Sequence, residues 1–233
     1  MMTHMKIKFG FCILTGLILL GAVRAFAGVV LENQQSLPNG KTTVHSLAWV
    51  DDSHLRVDIQ EKNKDLSYIY DQTQGKLWVL DHRAKHYREI DPLLLEKQAA
   101  KGYDLVPVNF ALHGPGESSG AWLCKVYEGS KASLTQNKLW TVDPRQLNLS
   151  PEAYKTLQGA RAYLQAYAPE AAAFFHAGSR AWENNQGYSG VPVRLMNYSK
   201  DGKLSGKIEL TKAEAQDISL EKFVVPAGYK KVI

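Results

Sequence analysis

The sequence predicts a mainly β protein in which a single curved antiparallel sheet is covered by helices. Apolar residues such as Leu55, Val57 and Ile59 alternate with polar ones, which is typical of a strand with one buried face. Turn-forming residues separate these short runs, so neighbouring strands are expected to pair antiparallel. An aromatic-rich segment at 150–183 has helical spacing instead. An apolar sheet face needs a cover, and this segment is the only large candidate.

The first residues have the organisation of an export signal. Two lysines precede an apolar run at 9–23, and residues 25–27 (Ala-Phe-Ala) supply the small-x-small pattern recognised by signal peptidase before Gly28. The apolar run is too short for a membrane-spanning helix. We therefore predict a signal peptide at 1–27 and a protein exported to the periplasm.

Charge and length narrow the class of the mature protein. Three of the 28 basic residues and none of the 23 acidic ones lie in the predicted signal, so cleavage lowers the net charge from +5 to +2. Such a small charge gives no indication of nucleic-acid binding. Residues 28–233 suit one domain, without repeats or a separating linker. Cys124 is the one cysteine in this domain, so we expect an inert, buried residue and no internal disulfide.

Hairpins make up the first part of the predicted domain. Residues 28–92 predict a meander of antiparallel strands joined by short turns. Asp91 and Pro92 are expected to open a short helix that ends at Gly102. Strands then resume, and Gly-Pro-Gly at 114–116 is expected to break the first of them. These later strands are predicted at Tyr103–Leu112, Ala121–Glu128 and Lys131–Val142.

The main helical segment begins with Ser150 as its N-cap and Pro151 in its first turn. Apolar residues recur at helical spacing and form one stripe, which consists of Ala153, Tyr154, Leu157, Ala160, Leu164, Tyr167 and Ala168. Pro169 is expected to kink or restart the helix. The chain then ends with a hairpin and an apolar segment, predicted at Val191–Tyr198, Leu204–Leu210 and Phe223–Tyr229.

One motif matches a hydrolase pattern. Residues 116–120 read Gly-x-Ser-x-Gly around Ser118, and Asp143 and His176 follow in the chain order of a catalytic triad. That chemistry needs a helix directly after the serine, whereas residues 121–127 have the pattern of a strand. We interpret the motif as a loop and keep a serine hydrolase using Ser118 as a third hypothesis.

His82 and His86 are the only histidines spaced closely enough to suggest a metal site. Arg83 and Lys85 lie between them, and two cations work against a divalent metal. We therefore interpret this segment as a solvated turn. The sequence predicts no catalytic residue, no metal site and no cofactor.

Apolar aromatic residues suggest a ligand cavity. A strongly curved sheet does not always fill its concave side with its own side chains, and an elongated hydrophobic ligand would then lie between the sheet and the helical segment. Two aliphatic residues of the sheet and five aromatic residues are the candidates for the lining: Leu55, Val57, Tyr68, Tyr70, Trp78, Phe174 and Phe175.

Two sets of motifs carry a family resemblance. Residues 68–71 (Tyr-Ile-Tyr-Asp) and 76–81 (Lys-Leu-Trp-Val-Leu-Asp) look like the hairpin pair of the periplasmic lipoprotein-carrier superfamily (LolA/LppX-like). Residues 190–193 and the Val-Pro-Ala-Gly-Tyr of 223–229 look like a related group of uncharacterised bacterial envelope domains. The resemblance implies an unclosed half-barrel that wraps over a helical lid. It also implies acyl chains, lipids or lipidated proteins as ligands, and no catalytic residues.

The leading prediction is an exported periplasmic binding protein. It would hold a lipid, an acyl chain or a lipidated protein in a hydrophobic cavity between the curved sheet and its lid. The alternative is a non-enzymatic interaction or sensor module of the cell envelope, with a filled core and a protein partner docked at a sheet edge or on the convex face. Neither hypothesis involves nucleic acid or an enzymatic reaction.

Overall fold

The computed structural model describes residues 25–61, 64–90, 109–131, 134–167 and 187–232. Within these ranges the chain forms twelve strands, one α-helix and two 3-10 helices. The strands are β1 Ala25–Ser36, β2 Thr42–Val50, β3 His54–Glu61, β4 Lys64–Asp71, β5 Lys76–Asp81, β6 His86–Ile90, β7 Asn109–Ser119, β8 Trp122–Lys131, β9 Leu134–Val142, β10 Val191–Tyr198, β11 Leu204–Ser219 and β12 Lys230–Lys231. The helix α1 spans Pro151–Tyr167, and the 3-10 helices span Pro144–Leu147 and Leu220–Phe223.

All twelve strands belong to one sheet, in the order β12-β6-β5-β4-β3-β2-β1-β11-β10-β9-β8-β7. Successive strands are antiparallel neighbours within β1–β6 and within β7–β11, and the long strands β1 and β11 pair to join these two halves. Only the two-residue pairing of β12 with β6 is parallel. Because β12 and β7 do not meet, the sheet is unclosed. The mainly β class and the single unclosed antiparallel sheet are therefore confirmed.

The expected cover by several helices is overstated. The described part of the chain contains a single α-helix, α1, which begins at Pro151 as the sequence predicts. The Ala153 N–H donates to Ser150 Oγ at 2.9 Å, so Ser150 is the N-cap. The short helix expected at 91–102 and the second half of the segment 150–183 lie outside the described residues.

The core lies between α1 and one face of the sheet, which we call the inner face. The apolar stripe of α1 packs there against side chains that alternate along β3 and β4. Its buried members on α1 are Ala153, Leu157, Ala160 and Leu164. Such packing follows directly from the two side-chain periodicities, which are about 3.6 residues per turn in a helix and 2 residues in a strand.

The alternation in β3 suggests that the opposite face, which we call the outer face, is exposed to solvent throughout. The structure shows that part of it is buried. A second apolar cluster lies there, with Trp49, Ile69 and Leu80 from the sheet and Phe223 from the C-terminal tail (residues 219–232). The tail crosses this face and ends as β12, where the Val232 N–H donates to Tyr87 O at 2.8 Å. The tail thus covers part of the outer face, and no periodic pattern in the sequence predicts this contact.

Gly-Pro-Gly at 114–116 was expected to break a strand, and that expectation is wrong. Strand β7 continues through these residues with two bulges, one on either side of Pro115. As β7 is the last strand of the sheet, Pro115 can lack an N–H without interrupting a ladder on its outer side. The motif therefore shapes an edge strand and does not end it.

Candidate functional site

Four of the seven predicted cavity residues lie together on the inner face. Leu55, Val57, Tyr68 and Tyr70 are 1%, 0%, 2% and 5% exposed, and all belong to the core that contains α1. Cross-strand pairing explains this grouping, because Leu55 lies opposite Tyr70 and Val57 opposite Tyr68. In this structure the apolar stripe of α1, and not an empty space, covers them.

The other three predicted residues do not join this group. Trp78 follows Leu77 in β5, and because side chains alternate along a strand it lies on the outer face with the second apolar cluster. Phe174 and Phe175 lie outside the described residues.

Polar contacts fasten α1 to the hairpin turns at one end of the sheet. Ser150 Oγ donates to Asp52 Oδ1 at 2.5 Å, and Thr156 Oγ1 donates to the Asp52 carbonyl at 2.8 Å. Further along the helix, the Tyr163 hydroxyl donates to the Gly75 carbonyl at 2.6 Å. The β2–β3 and β4–β5 turns are therefore the docking points of the helix, and they set its position over the sheet.

The middle of α1 comes very close to the sheet. A Cβ atom added at Gly159 would lie 2.7 Å from the hydroxyl oxygen of Tyr70, so only glycine fits this contact without a shift. The ring of Tyr163 lies 5.2 Å from that of Tyr70. Burial raises the pKa of Tyr70 to about 12, and the neighbouring Tyr163 adds to this effect. Tyr70 is thus a neutral, tightly packed contact of the helix.

Arg161 is a charged residue in the buried part of α1. It is 6% exposed, and burial lowers its pKa to about 9, although the neighbouring Tyr188 and Tyr154 act in the opposite direction. An arginine at this depth places a cation beside the inner face. The helical pattern of the sequence did not single it out, since it lies next to the apolar stripe.

A histidine between two buried carboxylates lies close to the docking turns. His54 Nδ1 is 3.1 Å from both oxygens of Asp51, and its Nε2 is 3.9 Å from Asp71 Oδ2. The ring also stacks on Phe223 of the tail, with 5.1 Å between centroids. The hydrogen bond to Asp51 raises the pKa of His54, against the opposing effect of burial. This cluster joins β3, β4 and the tail.

A second polar network holds the tail on the outer face. Ser67 Oγ donates to Asp58 at 2.5 Å and lies 2.5 Å from His82 Nε2, while His82 Nδ1 lies 2.6 Å from the Tyr229 hydroxyl. Because the Ser67 hydroxyl donates its hydrogen bond to Asp58, its oxygen accepts one from the Nε2–H of His82. The other ring nitrogen of His82, Nδ1, then accepts a hydrogen bond from the Tyr229 hydroxyl. The Arg56 guanidinium adds hydrogen bonds to Asp58 and Ser67.

Despite its Ser–His pair, this network does not have the geometry of a nucleophile. Ser67 is 0% exposed, and its hydroxyl donates a hydrogen bond to Asp58 and not to His82, so His82 is not placed to act as its general base. The interpretation of residues 82–86 as a solvated turn holds for the exposed residues 83–85, whereas His82 is half-buried against Tyr229 of the tail. Cross-strand position could have indicated the contact with Ser67, but the contact with Tyr229 spans 147 residues and leaves no local signal.

Ser118 lies in a plain hairpin. It pairs with Leu123 across β7 and β8, and the turn between them is followed by a strand, as predicted. Asp143, the second residue of the pattern, accepts hydrogen bonds from Arg145 at 2.9 and 2.7 Å. His176 lies outside the described residues. The strand–helix geometry of a nucleophile elbow is therefore absent at Ser118.

The described residues contain neither a group of metal-ligating side chains nor a helix that could span a membrane. Within those ranges, no three His, Cys, Asp or Glu side chains are grouped as a metal ion would require. No helix there is long and apolar enough to cross a membrane.

Solved structures offer distant likenesses. An uncharacterized conserved protein from Thermus thermophilus is 8% identical, with a TM-score of 0.48 over 88% of this chain and 89% of that one. PNGF-II is 11% identical, with a TM-score of 0.43 over 88% of this chain and 30% of that one. A chain of the MucA/MucB complex of Pseudomonas aeruginosa is 9% identical, with a TM-score of 0.43 over 87% and 56%.

The extent of these matches limits what they mean. The chain spans under a third of PNGF-II and just over half of the Pseudomonas chain. All three TM-scores lie below 0.5, so the likenesses decide nothing about function. A comparison with curated proteins finds no match. A family model described as "Domain of unknown function (DUF4412)" matches residues 26–229. Because that match covers nearly the whole chain, the protein belongs to the DUF4412 family.

Proposed function

We propose that this protein is an exported, non-enzymatic binding domain of the bacterial cell envelope. Its ligand is a lipid, an acyl chain or a lipidated protein, and α1 is the movable cover of the binding face. The observation that carries the proposal is the inner face itself. It consists of apolar side chains from successive strands, and one helix closes it through an apolar stripe.

Ligand entry in this proposal requires α1 to leave the sheet. The stripe of α1 occupies the place that an acyl chain would take against Leu55 and Tyr68. Because burial of apolar area contributes roughly 25 cal/mol per Å², an acyl chain can replace the contacts that Leu157 and Leu164 make. The hydrogen bonds at Asp52 and Gly75 fasten the helix at the hairpin turns and would act as its latch.

A specific observation favours the second candidate, an interaction module with a filled core. Leu55, Val57, Tyr68 and Tyr70 are already packed under α1, so a ligand could contact these four residues only if the helix moved. Both edges of the sheet are also poor templates for an added strand, because β12 pairs with two residues of β6 and β7 carries two bulges around Pro115. A partner protein would therefore bind to a face of the sheet and not add a strand to it.

Export by a cleaved signal peptide belongs to the same proposal. Strand β1 begins at Ala25, which pairs with Ser219, so cleavage before Gly28 would remove the first three residues of the strand. The intact mass of protein purified from the periplasm tests the site directly. A mass that retains residue 25 would move the cleavage site upstream.

Native mass spectrometry tests the binding function. Protein purified from periplasm without detergent is expected to carry a species of lipid mass that organic extraction removes. The double variant Phe174→Ala/Phe175→Ala should lose this species with unchanged β-type circular dichroism. Trp78→Leu is the matched control, because Trp78 lies on the outer face and its loss should leave retention unchanged.

The possible results separate the candidates. A protein without bound lipid that captures a protein partner by crosslinking would favour the interaction module. Lipid retention that is equal in wild type and in the double variant would contradict the assignment of these phenylalanines to the cover. Labelling of Ser118 by a fluorophosphonate probe would support the hydrolase and contradict the non-enzymatic proposal.

A further inference from the structure

A histidine attaches the start of the C-terminal tail to the outer face. The ring of His54 stacks on the ring of Phe223, with 5.1 Å between the centroids and 20° between the planes. Phe223 is 5% exposed and belongs to the apolar cluster of that face. Close by, the Arg56 guanidinium donates to the Lys222 carbonyl at 3.1 Å. The first part of the tail is therefore held against the start of β3.

Two buried carboxylates lie beside the same histidine ring. His54 Nδ1 is 3.1 Å from both oxygens of Asp51, and Nε2 is 3.9 Å from Asp71 Oδ2. The side chains of Asp51 and Asp71 are only 3% and 9% exposed. Within the described ranges, no lysine or arginine forms an ion pair with either carboxylate. Among those residues, His54 is thus the group whose charge can offset theirs.

Protonation of His54 changes its contacts with both the sheet and the tail. In the neutral ring that donates from Nδ1–H to Asp51, Nε2 is an acceptor and lies beside the negative charge of Asp71. In the protonated ring both nitrogens are donors, so Asp71 is attracted as well. The positive ring also gains a cation–π attraction to Phe223. The hydrogen bond to Asp51 raises the pKa of His54, against the opposing effect of burial, so it favours the protonated ring.

The other charged groups around the stack have different contacts. On the tail, the Lys222 ammonium lies 4.0 Å from the centre of the Trp49 ring, and Glu221 is exposed. On β3, Arg56 Nε is bonded to Asp58 at 2.6 Å. In the described structure none of these side chains bonds to the histidine ring. The charged neighbours that decide its protonation are therefore the two buried aspartates.

We propose that the tail is an acid-tightened strap, which protonation of His54 fastens to the outer face. At lower pH the imidazolium holds the aspartates on the sheet and Phe223 on the tail. As pH rises and the proton leaves, the cation–π contact is lost and the tail opens more often. Each opening exposes the apolar cluster that Phe223 completes, with Trp49 and Ile69 in it. The strap thus makes access to the outer face depend on pH, independently of any ligand on the inner face.

Hydrogen exchange followed by NMR on the full mature protein measures how often the strap opens. The N–H groups of Lys230 and Val232 donate to backbone carbonyls at 2.9 and 2.8 Å, and they exchange when these bonds break. After correction for intrinsic exchange rates, their protection should be about two- to fivefold higher at about pH 6 than at about pH 8, as a cation–π contact near the surface provides. His54→Gln and Phe223→Leu should each abolish this difference. His113→Gln is the matched control and should retain it, because His113 is exposed on β7.

Three results would overturn the proposal. If the tail amides are protected as strongly as the amide of the buried core residue Val126, the tail opens only when the whole domain unfolds. Protection that is equal at the two pH values, or higher at the upper one, contradicts the direction of the switch. A pH dependence that persists in His54→Gln assigns the effect to another group, such as His82, which contacts Tyr229 near the end of the tail.

Discussion

The close approach of α1 to the sheet makes Gly159→Ala an informative perturbation. In an exposed helix this change stabilises by about 1 kcal/mol, because alanine has the higher helix propensity. Here the new methyl group would lie 2.7 Å from Tyr70 Oη, whereas the ring carbons are 3.4 Å away or more. Tyr70 is only 5% exposed and packs on Tyr163, so it cannot move aside freely. Overpacking of this kind costs about 1–3 kcal/mol.

We therefore expect Gly159→Ala to lower the free energy of unfolding by about 1 kcal/mol, the difference between these opposing effects. Tyr70→Phe removes the nearest atom and leaves the ring in place. In that background Gly159→Ala should be neutral or stabilising, which corresponds to a coupling energy of about 1–2 kcal/mol between the two positions. Urea denaturation of the four proteins measures this cycle. Stabilisation of the wild type by Gly159→Ala, or equal effects in both backgrounds, would refute the docked position of α1.

Three further predictions concern the histidine cluster, the tail and the helix stripe. His54→Gln should remove a stabilising effect that is complete below the unfolded pKa of 6.5 and disappears as pH rises through the raised pKa of folded His54, because Asp51 favours the protonated ring. Thermal melts of both proteins between about pH 5.5 and 8.5 check it, and a difference independent of pH would contradict it. Tyr229→Phe should destabilise by about 1 kcal/mol through the lost hydrogen bond to His82, as measured by urea denaturation; no change would mean that the tail is held by other contacts. Leu157→Ala should cost about 2–5 kcal/mol in the same assay, and a cost below about 1 kcal/mol would place the helix stripe outside the core.

The strands and the start of α1 could be predicted because their causes are local. Alternation at Leu55, Val57 and Ile59 matches burial below 3% in β3, and Ser150 and Pro151 begin the helix where the capping rules place it. The predicted strand break at 114–116 is absent for a non-local reason. Whether a proline ends a strand depends on whether a neighbour needs its N–H, and β7 has no outer neighbour among the described strands.

The candidate site was predicted only in part. Leu55, Val57, Tyr68 and Tyr70 share a face because strand pairing and alternation both place them there. The same alternation assigns Trp78 to the opposite face, once Leu77 is known to be buried at 0% exposure with the core. Aromatic character alone had grouped Trp78 with the others, although the face to which a residue belongs is decided by its parity in the strand.

The sequence by itself determined the class of the fold, the antiparallel hairpins, the start of the helix and the residues that face it. These features depend on side-chain period and on contacts between near neighbours along the chain. The tertiary structure decided how the tail covers the outer face, which turns hold α1, and where carboxylates meet across strands. Tyr229 and His82 are 147 positions apart, and Thr156 and Asp52 are 104 apart. Contacts over such separations exist only after the sheet has assembled, because each depends on the register of several strands at once.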